Sequence, residues 1–170
     1  MGLVARLSNE EPAETWAVLH RAAEERFRDG MELATGHWER LTGAIYLFGY
    51  VAEMILKVAI FRTRNWSGQH PINISWFKNY ASHKCYNLHD IDGLANLLID
   101  ERRSNNNPFD PVFAAELVHN AKTVSANWRE TLRYRSIAAQ HAELSEVFQS
   151  VEWLRLWRGV YAGYKKREAT

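Results

Sequence analysis

Three sets of side chains have types and spacings that chemistry can use. His83, Cys85 and His89, with Asp90 adjacent, offer the nitrogen and sulfur donors of a zinc site. No second cluster supplies the closing ligands of a four-coordinate cage unless His70 folds back, so the expectation is that no metal is required. Arg129, Arg133 and Arg135 are interleaved with Trp128 and Tyr134. Guanidinium groups suit phosphate and the rings suit stacked bases, which makes this the most nucleic-acid-like patch of the chain. Arg155, Arg158, Lys165, Lys166 and Arg167 extend it, but the same charges also read as a solvated face balanced by Glu143, Glu146 and Glu152. Glu53 and Lys57 stand four apart, with the acid toward the N-terminus, the favoured order for a helical ion pair. In an apolar helix such a pair is structural, because removing one partner strands a charge at roughly 3–5 kcal/mol.

These groups need elements to hold them. Trp16, Leu19, Ala23, Phe27 and Met31 recur at helical steps and predict a first helix from about Pro12 to Ala34. A second helix, from about His37 to Arg62, is apolar on every face at its centre and must be surrounded. Residues 63–88 lose periodicity but carry Trp66, Trp76, Phe77, Tyr80 and Tyr86, which predicts an ordered excursion with a short helix near Ser75 to Ala81. Asp90 caps a third helix, Ile91 to Arg102, and Asp110-Pro111 opens a fourth that runs to about Ser125. A fifth helix is predicted from about Ile137 to Lys166, with Leu144, Val147, Phe148, Val151 and Leu154 on one face. The fold class is all-α, an antiparallel bundle of about five helices forming one domain over residues 1–170.

Composition limits the function. With 46% hydrophobic and 24% charged residues the chain is globular in character, and a net charge of +1 gives no overall basic field. Seven Trp, seven Tyr and seven Phe equally suit a Trp-rich core and a partner interface. The single cysteine fits a reducing compartment, and the MGLVARLSNEEPAE opening lacks a secretory apolar stretch, so a cytoplasmic protein is expected. Residues 44–61 are apolar enough to suggest a membrane, but Glu53 and Lys57 would each cost roughly 2.5–3.5 kcal/mol there. A buried core helix is the better reading.

The run GAIYLFGYVAEMILKVAIF, with Tyr46, Tyr50, Glu53 and Lys57, resembles the signature helix of HEPN domains. Downstream, NLHDIDGLANLL resembles that family's His-Asp-Leu segment, here His89 and Asp90 with Ile91 in place of Leu. NWRETLRYRS is similar to the Arg-Tyr segment that precedes the last helix in one branch. The three pieces keep the family's order and span about Arg26 to Trp153.

The resemblance implies a compact HEPN-like bundle, homodimerisation, and partnership with a nucleotidyltransferase-like antitoxin in a toxin–antitoxin, defence or stress system. It implies no cofactor. Many members are metal-independent endoribonucleases whose motif is an Arg followed, after four to six residues, by a His. Arg135 and His141 fit that spacing at the entrance to the last helix, and are the candidate catalytic pair. Arg64 and His70 share the spacing but fall in the Gly- and Pro-containing excursion. In the motif's chemistry a neutral imidazole takes the ribose 2′-hydroxyl proton while a guanidinium holds the phosphate. Arg129, Arg133 and Tyr134 are the candidate RNA- or nucleotide-binding residues. The alternative is a catalytically inactive helical module that assembles with a partner protein.

Overall fold

The computed structural model describes residues 15–36, 40–67, 69–134 and 138–161. Six α-helices occur among them: α1 Trp16–Thr35, α2 Leu41–Thr63, α3 Ile74–Ala81, α4 Ile91–Ser104, α5 Pro111–Asn127 and α6 His141–Tyr161. A 3-10 turn, Glu130–Tyr134, links α5 toward α6. No strand occurs among the described residues, only an isolated bridge between Thr15 and Pro71.

The hydropathy of α2 explains the arrangement. A helix apolar all round must be covered, and α1, α4, α5, α6 and the 3-10 turn all pack on it. Phe48, Val51, Ile55, Leu56 and Ile60 are each 0% exposed. By length and composition α2 would pass as a membrane span, yet 72% of its apolar window is buried inside this chain. Its neighbours bury apolar stripes of their own: Ala23 and Phe27 of α1, Leu94, Leu97 and Leu98 of α4, Leu117, Ala121 and Val124 of α5, and Val147, Val151 and Leu154 of α6.

The ends of the helices follow local chemistry. Asp90 accepts from the Gly93 amide at 2.9 Å and opens α4, and Asp110 accepts from the Val112 amide at 2.9 Å, with Pro111 at the first turn of α5. Helices α2 and α4 both close on an asparagine with positive φ, Asn65 at 58° and Asn106 at 54°. In each case the next amide reaches back five residues, Trp66 to the Phe61 carbonyl and Asn107 to that of Arg102. Asparagine tolerates this left-handed stop better than most residues.

The last helix departs from the sequence expectation. Residues 138–140 are not helical, and α6 begins at His141 rather than near Ile137, which itself lies outside the described residues. Two bonds set this start. Glu143 accepts from the Gln140 amide at 2.7 Å, half of a capping box, and the Ala139 amide donates to Thr42 Oγ1 of α2 at 2.9 Å. The count also differs: the short helix in the excursion, α3, is a full eight residues, so the described chain has six α-helices.

One close approach fixes the 3-10 turn against α2. Trp128 is 2% exposed, and its indole N–H donates to the Tyr46 carbonyl at 3.0 Å. It lies so near the backbone of Gly49 that a Cβ there would fall 2.1 Å from the ring. We therefore expect Gly49→Ala to destabilise the protein by at least ~1–3 kcal/mol, the usual cost of overpacking a core. Urea unfolding checks this, and an unchanged midpoint would mean that Trp128 is not seated on α2 as described.

Candidate functional site

The middle of α2 places Tyr46, Tyr50, Glu53 and Lys57 along one strip of the helix, at steps of three and four. Glu53 is only 5% exposed. A carboxylate so buried needs partners, and it has two. Lys57 Nζ stands 2.6 Å from one oxygen, and His89 Nδ1 stands 2.8 Å from the other. The far side of the same imidazole, Nε2, lies 2.9 Å from Glu130 of the 3-10 turn. The result is a chain of alternating charge, Lys57–Glu53–His89–Glu130, running from the interior outward.

His89 is placed by its own loop. The neighbouring Asp90 accepts from the amides of Tyr86 and Gly93, at 2.9 Å each, and closes the loop before α4. A side chain at position 93 would meet the Asp90 carboxylate at 2.5 Å, so glycine is required for that closure. Tyr50 presents its ring edgewise to His89, with centroids 6.3 Å apart, and packs on Trp128 at 5.3 Å. The Tyr46 hydroxyl donates to that of Tyr50 at 3.3 Å. The tyrosines therefore bond each other, while the partner of Glu53 beyond Lys57 is His89.

The electrostatics follow from this geometry. The hydrogen bond His89 donates to Glu53, and then the negative charges of Glu53 and Glu130, raise the His89 imidazole above its usual range, against burial and Lys57, which lower it. Donation to a carboxylate from both ring nitrogens requires the doubly protonated imidazolium. In that state His89 has no lone pair, so it is no general base here. Its chemistry is that of a charged bridge between α2 and the 3-10 turn.

The other candidate residues fall in separate places. Arg129 is exposed, and its guanidinium donates to the Ser125 carbonyl at 3.0 Å. Arg133 and Tyr134 lie on the 3-10 turn, though their side chains are outside the described residues, as is all of Arg135. His141 is exposed as the first residue of α6. A recess of about 160 Å³ opens beside it, lined by Thr42, Ile45, Asn127, Leu132, Ala139 and Glu143 among others. Ligand pockets usually measure ~300–1,000 Å³. The recess among the described residues is smaller than that.

The pair Arg64 and His70 is taken up in packing. Arg64 pairs with Glu101 at 3.2 Å and lies over the rings of Trp76 and Tyr80, at 5.2 and 4.7 Å. His70 rests on Trp66, with centroids 4.5 Å apart. This aromatic cluster is what orders the excursion: Trp66 stacks on Phe61, Trp76 on Tyr80, and the Trp16 indole of α1 donates to the Trp66 carbonyl at 2.8 Å. His83, Cys85 and His89 do not converge. His83 faces the edge of Tyr80, His89 is held by its two carboxylates, and Cys85 is buried. Burial, and next Asp90, push the Cys85 thiol up to about 11, the value of an inert thiol. Among the described residues no group of three His, Cys, Asp or Glu side chains is placed to hold a metal.

Glu130 is the residue that sequence reasoning missed. It is separated from His89 by 41 positions and belongs to a stretch whose arginines and aromatic rings carry the sequence expectation. Its one local signal is that it is the sole acid within NWRETLRYRS. Compared with family models, curated proteins and solved structures, the chain matches none of them.

Two outcomes follow. Glu53→Ala should lower the urea midpoint, with a loss on the scale of ~3–5 kcal/mol for stranding a buried partner. An unchanged midpoint would remove Glu53 from the stability of the fold. Stability should also depend on pH in a definite direction. The folded-state pKa of His89 is raised, so its contribution is complete below the unfolded value of about 6.5 and is lost as pH climbs through the folded value. The stability gap between wild type and His89→Gln should therefore narrow on going alkaline. A gap that widened would reverse the assignment of charge.

Proposed function

We propose that the chain is a HEPN-like module that binds or acts on RNA or nucleotides in a toxin–antitoxin, defence or stress system. In this reading it is a cytoplasmic homodimer whose partner is a nucleotidyltransferase-like antitoxin. One observation carries the proposal. The three stretches that resemble the family are far apart in sequence, yet each contributes a side chain to one polar chain: Glu53 and Lys57 from the first, His89 from the second, Glu130 from the third. A chance likeness of three segments gives no reason for them to meet at a single imidazole.

The mechanism assigned to the module needs no metal. His141 serves as general base toward the ribose 2′-hydroxyl, and the oxygen then attacks the adjacent phosphorus while the 5′-oxygen leaves, taking a proton from water to become the 5′-hydroxyl. Arg135 holds the phosphate oxygens as negative charge builds on them. Arg129, Arg133 and Tyr134 supply phosphate and base contacts across the surface. The exposed position of His141 at the start of a long helix suits an anionic substrate, since the positive pole of the helix dipole is there.

A second reading has its own support. Val112 and Leu156 are 68% and 62% exposed on α5 and α6, beside the stacked rings of Phe113 and Trp153. Exposed apolar side chains next to aromatics are what an assembly surface offers. In that reading the chain is an inactive module that recruits a protein.

Cleavage of a labelled RNA in EDTA, beside the same sequence as DNA, separates the two. The first reading expects RNA products ending in a 2′,3′-cyclic phosphate and a 5′-hydroxyl, intact DNA, and a rate lowered ~10²–10⁴-fold by His141→Ala. Equal cutting by His141→Ala would refute the assigned base. A wild-type protein that neither cuts nor binds RNA would favour the assembly reading.

A further inference from the structure

The stretch that follows α5 is held to the body at separated points. Trp128 is seated against Gly49 at one end, and the Ala139 amide is bonded to Thr42 at the other. Between them Glu130 reaches His89, and Leu132 packs on the core. The Glu130 contact is of a different kind from the rest. It depends on a proton.

We propose that His89 is a proton-dependent latch on the 3-10 turn: protonated, it clasps Glu130 and holds Glu130–Tyr134 against α2, and deprotonated, it lets Glu130 go. Loss of the proton lets only one of its two contacts survive. A neutral imidazole has one N–H and one lone pair. Whichever nitrogen loses its proton then faces a carboxylate with a lone pair, which repels. Glu53 has a side chain 6% exposed and no water to turn to, so leaving it facing a lone pair is costly. Glu130 is 42% exposed and can be solvated instead. The proton therefore stays on Nδ1, toward Glu53, and leaves from Nε2, toward Glu130. The charge chain opens at its outer link.

The groups around the ring fit this assignment. From α2 it faces Glu53, Lys57 behind that carboxylate, and the edge of Tyr50. From the 3-10 turn it faces Glu130. The adjacent Asp90 has its carboxylate occupied by the amides of Tyr86 and Gly93, so it caps α4 and does not compete for the imidazole. The latch works on the turn that carries Arg133 and Tyr134. Its effect on RNA rests on the proposed function, but the latch itself does not.

The test uses the intact protein without RNA. Ring-nitrogen chemical shifts of His89 report which nitrogen gives up the proton as pH rises, and amide exchange of residues 131–134, corrected for its intrinsic pH dependence, reports the turn. The expected result is loss from Nε2, with exchange rising roughly two- to fivefold in the same pH step, the ratio that an exposed ion pair supports. Glu130→Gln provides the control. Its amide can accept from an N–H or donate to a lone pair, so the contact persists in both states and the exchange step should vanish. Loss of the proton from Nδ1, a wild-type exchange profile without the step, or the same step in Glu130→Gln would each overturn the latch. None of these outcomes depends on whether the protein cuts or binds RNA.

Discussion

A carboxylate in the middle of the most apolar helix is the constraint from which the rest of the site follows. Glu53 cannot be left unpaired in that position, and a single lysine four residues on satisfies only one of its oxygens. The second oxygen is bonded to His89, which belongs to the loop before α4. That loop has to bring its imidazole to α2, which in turn requires the tight Asp90 cap and a glycine at 93. Protonated between two carboxylates, the imidazole presents its outer nitrogen at the surface as a donor, and the 3-10 turn supplies Glu130 to meet it. One buried charge thus organises a helix, a loop and a turn that are distant in the sequence.

Packing reinforces the same junction without charge. Tyr50 separates His89 from Trp128 by two edgewise contacts, and Trp128 fills the space over Gly49 that any side chain would block. Two of the aromatic groups have distinct structural duties. One group, around Tyr46, Tyr50 and Trp128, fastens the segment after α5 to α2. The other, around Phe61, Trp66, Trp76 and Tyr80, orders the segment between α2 and α4 and packs α3 within it. Arg64 belongs to the second group, and its cation is balanced by Glu101 and covered by rings.

What the sequence disclosed was local. Apolar stripes, the Asp90 and Asp110-Pro111 start signals, and the all-apolar α2 can be read from spacing alone, because each depends on neighbours within one or two turns. The start of α6 was misplaced for a local reason as well: Gln140 and Glu143 form a capping pair, a signal weaker than the apolar periodicity that extends back to Ile137. The Glu53–Lys57 pair is legible from its spacing, but the contact between Glu53 and His89 is not, since nothing near either residue specifies a contact 36 positions away. The same holds for Trp128 on Gly49. The order of residues 63–88 was anticipated from their rings, but which ring stacks on which depends on tertiary placement. Arg135 lies outside the described residues, so its relation to His141 rests on spacing and on the family resemblance.

The account stands on the claim that Glu53 and His89 act as one unit joining α2 to the start of α4. A double-mutant cycle with Glu53→Gln, His89→Gln and the double variant, followed by urea unfolding, tests it most directly. The account predicts that the two losses are not additive, with a coupling energy of ~0.5–3 kcal/mol because each variant already breaks the shared bond. Losses that sum within about 0.3–0.5 kcal/mol, the tolerance for independent sites, would contradict it.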